Sequence, residues 1–239
     1  MILEKAKKQP ALYGLAVLGA IFIVVLFTSL YWPPKEVIKE VEVPVTVYVD
    51  KVEYRNMNVF LRRLEINDLL IKLKDYPDDY ERILSFYDGY THNREISETI
   101  IKYSLQYNQP VNYCFGLAQR ESQFDPRAYN KNSPTSIDRG LFQLNNNRKS
   151  WTVADYYNID KNAKEAISCL AWLSTVIEDE NLSLAAYNTG YDRIRTQSKI
   201  PFSTLVHVFK ARDNELNFDI QFNTKLLPTL THLRIEPRK

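Results

Sequence analysis

Glu121 and Asp138 stand in the stretch "LAQRESQFDPRAYNKNSPTSIDRGLFQLN", positions 117–145. Two carboxyl groups flanking one bond are the general recipe for cleaving a glycoside, one as acid and one to meet positive charge on the sugar. Counting from Pro110, the residues Cys114, Leu117, Ala118 and Glu121 fall at i, i+3, i+4 and i+7, one face of a helix. An isolated carboxylate on such an apolar face is costly, so a chain that keeps one there either pairs it or uses it. Near the end of the helix, desolvation and the partial negative charge of the C-terminus both raise its pKa. A carboxylic acid held protonated near neutral pH is what general acid catalysis requires. A buried glutamate hydrogen-bonded for structural reasons fits the same pattern, and the helix by itself leaves the two readings open.

The elements around this pair read as mostly helical. Residues 56–90 carry the amphipathic run "NVFLRRLEINDLLIKLKDY", with Pro77 breaking or restarting the pattern. From Arg94 onward come "REISETIIKYSLQY", "PVNYCFGLAQRES", "NAKEAISCLAWLSTVI", "LSLAAYN" and "FSTLVHVFKA", separated by short polar loops. Pro110 suits the first turn of the Glu121 helix, with Asn108 or Gln109 as its cap. Strand material is expected around Ser136–Leu144. In a strand from Leu141 to Asn145, Gln143 and Asn145 would face one way and Phe142 and Leu144 the other. Gly140 allows the tight turn or close backbone approach before it. Ala185 and Ala186 allow close helix packing, and Gly190 offers a left-handed stop.

Three short motifs stand in order between these helices: "ESQFDPRAYN", "GLFQLN" and "LAAYNTG". Together they resemble the lytic transglycosylase SLT family of the lysozyme-like superfamily, over about residues 92–210. The resemblance implies a mainly α, α+β lysozyme-like fold with a small β-hairpin element. It implies that Glu121 is the single catalytic acid/base, with Ser122 beside it, and that Gln143, Tyr187 and Asn188 line the glycan cleft. Asn145 on the amide face joins the same substrate-binding set. The stretch "SIDRGLFQLN" also looks like the animal c-type lysozymes, whose second carboxylate falls in a matching place. Asp138 either steadies charge on the sugar or braces the hairpin through Arg139 or Ser136. The chain departs from the family's commoner pattern by inserting "TSIDR" before Gly140, and by carrying Asn130 where a serine often stands.

Other chemistries find little support. His92, His207 and His232 are isolated, and there is no HExxH, P-loop or G-x-S-x-G, so no metal and no cofactor are expected. Cys114 and Cys169 are too few for a disulfide scaffold; two small buried hydrophobes are favoured over a bridge. Of 31 Lys and Arg and 29 Asp and Glu, only Lys5, Lys7, Lys8 and Glu4 precede residue 35, leaving 28 of each sign beyond it. That balance lacks the basic footprint of a nucleic-acid binder.

The N-terminus has its own message. Ala11–Trp32 is uncharged for 22 residues, about 33 Å as a helix and enough to cross a bilayer core. The lysines before it keep the N-terminus cytoplasmic. The run is long for a signal peptide and "SLYWPP" is a poor cleavage site, so an uncleaved anchor is expected, with the rest of the chain outside the cytoplasmic membrane of a bacterium. Every odd position from Val41 to Val49 is valine, which reads as an extended stalk, or as a strand that pairs with a partner of an envelope complex or with a second copy. The expected organisation is residues 1–10 cytoplasmic, 11–32 anchor, 33–55 stalk, 56–91 helical linker and 92–239 lysozyme-like domain. The reading that joins these features is a membrane-anchored peptidoglycan lytic transglycosylase forming 1,6-anhydro products. Its rivals are a lysozyme-type muramidase on the same fold and a non-catalytic glycan-binding scaffold.

Overall fold

The computed structural model describes residues 63–147, 150–196 and 199–231. The chain divides into two units, residues 1–54 and 55–239, and every described residue belongs to the second. The expected anchor at 11–32 and the valine segment at 41–49 lie outside the described residues, as do His232 and the start of the run from residue 56. Among the described residues, no helix is long and apolar enough to cross a membrane.

Four helices lead to the site: α1 (Arg63–Leu73), α2 (Pro77–Thr91), α3 (Arg94–Gln106) and α4 (Val111–Ser122). Pro77 restarts the helical pattern, as its fixed φ and missing N–H favour. Asn93 caps α3 by accepting from the N–H groups of Glu95 and Ile96. The start of α4 is capped differently from expectation. Neither Asn108 nor Gln109 serves; instead Asn67, reaching across from α1, accepts from Val111 N–H at 3.0 Å and donates to the Gln109 carbonyl at 2.8 Å. A local cap is lost because Pro110 itself occupies the cap position with no side chain to offer.

Beyond α4 lies a small antiparallel sheet in the order β1 (Tyr129–Lys131), β2 (Ile137–Arg139), β3 (Leu144–Asn145). Asp138 sits opposite Asn130 on one side and Asn145 on the other. The expected strand from Leu141 is therefore cut short: Gly140 to Gln143 form a turn, closed by a bond from Gln143 N–H to the Gly140 carbonyl at 3.1 Å. The remaining helices are α5 (Val153–Tyr157), α6 (Ile159–Val176), α7 (Glu180–Thr189), α8 (Tyr191–Thr196) and α9 (Phe202–Gln221). Gly190 ends α7 at φ +96 and ψ 139, an extended conformation open to glycine rather than the expected left-handed helical stop. A wider turn at Phe222–Leu226 and a tight one at Leu227–Thr229 follow α9. Buried Asp79 at the start of α2 holds this end, accepting from the Thr231 N–H and hydroxyl at 2.9–3.0 Å. Negative charge is also favoured there by the helix dipole.

Apart from β1 and β2, which contribute no residue to it, these elements share one apolar core. Helices α1 and α2 contribute Ile66, Leu70, Ile83 and Tyr87 to it, alongside Phe115, Leu170 and Phe218 from later elements. Tyr87 stacks on Phe115 with ring centroids 4.1 Å apart, and Phe218 and Phe222 complete the cluster. Every residue of α4 from Val111 to Ala118 is buried, so α4 is the central helix rather than one with a single inward stripe. Its close neighbour is α9. A Cβ on Gly116 would stand 2.7 Å from Glu215 N and 2.8 Å from the Ala211 carbonyl, so only glycine admits that approach. This contact brings His207 and Glu215, both on α9, against α4.

Candidate active site

Glu121 is the second-last residue of α4, with its side chain 12% exposed. Burial pushes its carboxyl up to about 8; Arg120 pulls it down and Asp138 pushes it further up. The group is thus a protonated acid at neutral pH, and no hydrogen bond to it is formed among the described residues. Immediately after it the chain turns sharply, with Gln123 at φ +54 and Phe124 at φ +65. Left-handed non-glycine residues are uncommon and cost of order 1–3 kcal/mol each, and they gather at functional sites. Gln143, at φ +47, is a third in the same neighbourhood.

The turn Gly140–Gln143 is the element placed beside Glu121, and distant side chains hold it. Ser122 donates to the Leu141 carbonyl at 2.7 Å. Tyr187 on α7 donates its hydroxyl to the Phe142 carbonyl at 2.9 Å. Asn162 on α6 accepts from Phe142 N–H at 2.8 Å and donates to the carbonyls of Arg139 and Tyr156 at 3.2 and 2.9 Å. Gly140 has φ +81, and a Cβ there would meet the Tyr156 carbonyl at 2.0 Å. Within the turn, the Gln143 amide donates back to the Gly140 carbonyl at 3.0 Å. Phe142 is fully buried and Gln143 half-buried, so the inward and outward sides alternate although no strand forms.

The predicted site residues divide into groups. Glu121, Ser122, Gln143 and Tyr187 belong to this turn and the helix end beside it. The hydroxyls of Ser122 and Tyr187 are engaged by its backbone, which makes them clamps of the turn. Asp138 and Asn145 belong to the sheet. Asp138 accepts from the Asn145 amide at 2.8 Å and from the Asn132 amide at 2.5 Å. The bracing of the hairpin thus runs through asparagines rather than Arg139 or Ser136, although Asn145 also donates to the Ser136 hydroxyl at 2.9 Å. Asn188, exposed at the end of α7, accepts from the Thr204 hydroxyl of α9 at 3.1 Å. Asn130 is exposed and donates to Asn132 at 2.8 Å.

Two residues of the site were not among the sequence candidates. Asn162 looks like any polar residue early in α6. His207 looked isolated, but its Nε2 lies 3.3 Å from Glu121 Oε1, with its side chain 5% exposed. Burial, with a further push from Arg120, holds this imidazole down at about 4, so it is neutral. The one hint available in the sequence is its place in "FSTLVHVFKA": His207, Thr204, Val208 and Ala211 share one face of a helix. Among the described residues no group of three or more His, Cys, Asp and Glu is gathered that could hold a metal ion. No disulfide joins Cys114 to Cys169; Cys114 is fully buried, which pushes its thiol up to about 12.

A scan against family models matches residues 98–205 to the transglycosylase SLT domain. Residues 98–205 are an SLT domain. It belongs to the lysozyme-like superfamily, and the mainly helical fold with a small antiparallel sheet agrees with that placement. SLT domains are in general peptidoglycan lytic transglycosylases, and peptidoglycan glycan is the class of substrate that the match assigns. Searches of curated proteins and of solved structures returned no match. The SLT domain spans from α3 into α9 and takes in Glu121, Asp138, the Gly140–Gln143 turn and Tyr187. His207 lies two residues past its end.

Proposed function

We propose that the protein is a membrane-anchored lytic transglycosylase that cleaves the β-1,4 bond from N-acetylmuramic acid to N-acetylglucosamine and leaves a 1,6-anhydro-muramoyl end. Protonated Glu121 donates to the glycosidic oxygen as the muramoyl C1–O bond breaks. The carboxylate so formed takes the proton from the C6 hydroxyl of the same sugar, whose oxygen bonds to C1. No water is consumed. The observation that carries this reading is the contrast between the two carboxyls. Glu121 is buried, raised to about 8 and free of hydrogen bonds among the described residues, whereas both oxygens of Asp138 are held by asparagine amides. A single acid that both gives and retrieves the proton suits the intramolecular route.

A muramidase reading has one observation in its favour: Asp138 is near enough to raise the Glu121 pKa. Mass spectrometry of fragments released from purified cell wall separates the two. Anhydro-muramoyl ends, lighter by one water than reducing ends, are expected; reducing ends would favour the muramidase. The anchor and the extracytoplasmic placement of the domain rest on the uncharged run 11–32 and the three lysines before it. A periplasm-active reporter fused after Lys239 should be active and fractionate with membranes, and activity of a cytoplasm-only reporter there would reject that topology.

A further inference from the structure

His207 has no role in the mechanism above, yet the Nε2 of its imidazole stands 3.3 Å from Glu121 Oε1. That nitrogen forms no hydrogen bond among the described residues. A buried ring nitrogen left without a partner is costly, and catalytic hydrogen bonds are often long until substrate closes the site. We propose that His207 is the positioning residue of Glu121, its Nε2–H donating to Oε1 so that the acid's proton is kept on Oε2 and the carboxylate formed after donation is met by the same N–H. This rests on Glu121 being the acid/base.

The choice of tautomer follows from what each half of the reaction needs. A neutral imidazole has one N–H and one lone pair. If the lone pair were at Nε2, it would accept the Glu121 proton's hydrogen bond in the protonated state and aim that proton away from substrate. In the ionised state it would set a lone pair against a carboxylate oxygen. An Nε2–H instead serves both states without moving. An imidazolium would serve neither half, because a full positive charge at this distance favours loss of the Glu121 proton before substrate arrives. Burial and Arg120 keep His207 out of that form at neutral pH. Arg120 from α4 acts on both members of the pair, and Asp138 from β2 acts on Glu121. From α7, the side chain that meets this end of α9 is uncharged Asn188, through Thr204.

The test uses the full chain with His207→Leu, which removes the donor, and His207→Gln, which keeps an N–H. His207→Leu should lower kcat roughly 100-fold, the scale of a misplaced catalytic group, with KM little changed. The alkaline limb of its kcat–pH profile should move to higher pH, because a donor that favours the carboxylate is gone. His207→Gln should recover most of the rate and the original limb. Equal losses in both variants, or an unmoved limb in His207→Leu, would reduce His207 to packing. Should either variant fail to fold, the ¹⁵N shifts of the wild-type histidine decide: Nε2–H at pH 6–8 is expected, and Nδ1–H or imidazolium overturns the proposal. Glu121→Gln run alongside separates the two levels. If it is active, the acid/base reading itself falls; if it is inert while His207→Leu has the wild-type rate and profile, only the role of His207 falls.

Discussion

Glu121 on α4 and Glu215 on α9 are both buried glutamates whose pKa burial raises, on two helices packed against each other. Their surroundings differ in kind. Glu215, with a side chain 3% exposed, bonds to Arg212 at 2.6 Å and pairs with the Arg63 guanidinium. Both arginines also reach Glu180, at 2.5 and 3.2 Å, and lie over the Tyr113 ring at 5.2 and 5.8 Å from its centroid. Asp219 nearby accepts from Asn112, which in turn accepts from the Tyr87 hydroxyl, both at 2.7 Å. Arg63 and Arg212 pull against that burial and hold Glu215 at about 7, below Glu121, and their pairing with it and with Glu180 joins α1, α7 and α9. Glu121 has a neutral imidazole where Glu215 has arginines. Burial without a bonded cation leaves it protonated and ready to react. Burial alone therefore does not single out a candidate acid; the role proposed for Glu121 rests on burial without a bonded cation.

The largest effect expected from this contrast is on the rate. Glu121→Gln keeps the shape of the side chain but can neither donate nor retrieve a proton, and should lower the release of muropeptides by about 10³-fold or more, given the ~10²–10⁴ typical of general acid–base groups. Stability should move the other way. The folded-state pKa of about 8 lies above the ordinary 4.5, so wild type holds an extra proton between those values and loses stability as pH rises through them. Each tenfold difference in proton affinity is worth ~1.4 kcal/mol. Glu121→Gln should therefore unfold at higher temperature than wild type at pH 8 and at a similar temperature at pH 4. A thermal melt at both values checks this, and a gap that shrinks with rising pH would mean that Glu121 is compensated after all.

Glu215→Gln should give the opposite pattern. Removing the carboxylate leaves Arg63 and Arg212 paired with Glu180, with Asp219 nearby. Breaking a buried pair costs ~3–5 kcal/mol, and the remaining partner and partial exposure of the arginines bring this to about 2–3 kcal/mol. Denaturant melts should show the loss, while cleavage per folded molecule stays near wild type. A fall in rate without a fall in stability would put Glu215 in the catalytic machinery and erase the distinction.

The sequence conveyed one side of this contrast more readily than the other. Local periodicity placed α3, α4, α6, α7 and the start of α9, because those helices bury spaced apolar residues. The stripe Cys114, Leu117, Ala118 is buried as read, although α4 proves buried on its other faces too. Strand β1 was invisible, since Tyr129–Lys131 is exposed throughout and has no alternation to read. The "GLFQLN" stretch looked like a strand because its apolar and polar residues alternate. Only Leu144–Asn145 pair as a strand; Gly140–Gln143 form a turn because Ser122, Tyr187 and Asn162, far away in the chain, take up its backbone groups. His207, Asn67 and the arginines around Glu215 were missed for the same reason: what each one does is fixed by a partner on another element, and single-residue types carry no trace of it.

The smallest effect belongs to Asp138, and it decides what kind of acid Glu121 is. Asp138→Asn keeps the size of the side chain and its place opposite Asn130 and Asn145 in the sheet. It replaces an acceptor-only carboxylate, held by the amides of Asn132 and Asn145, with an amide that has one acceptor and two donors. One of those two bonds must then be lost or turned around, a change of about 1 kcal/mol. The loss of a negative charge that raises the Glu121 pKa should also bring the alkaline limb of the rate profile slightly down in pH. If Asp138 braces the hairpin, the variant should cleave wall within several-fold of the wild-type rate and still leave anhydro ends, since nothing in the proton's path from Glu121 to the C6 oxygen has been removed. If Asp138 instead meets positive charge at C1, the loss should approach that of Glu121→Gln, with reducing ends among the products of the wild type. Two measurements on one conservative variant, a rate and a product mass, therefore separate a sheet residue near an acid from the second half of a catalytic pair.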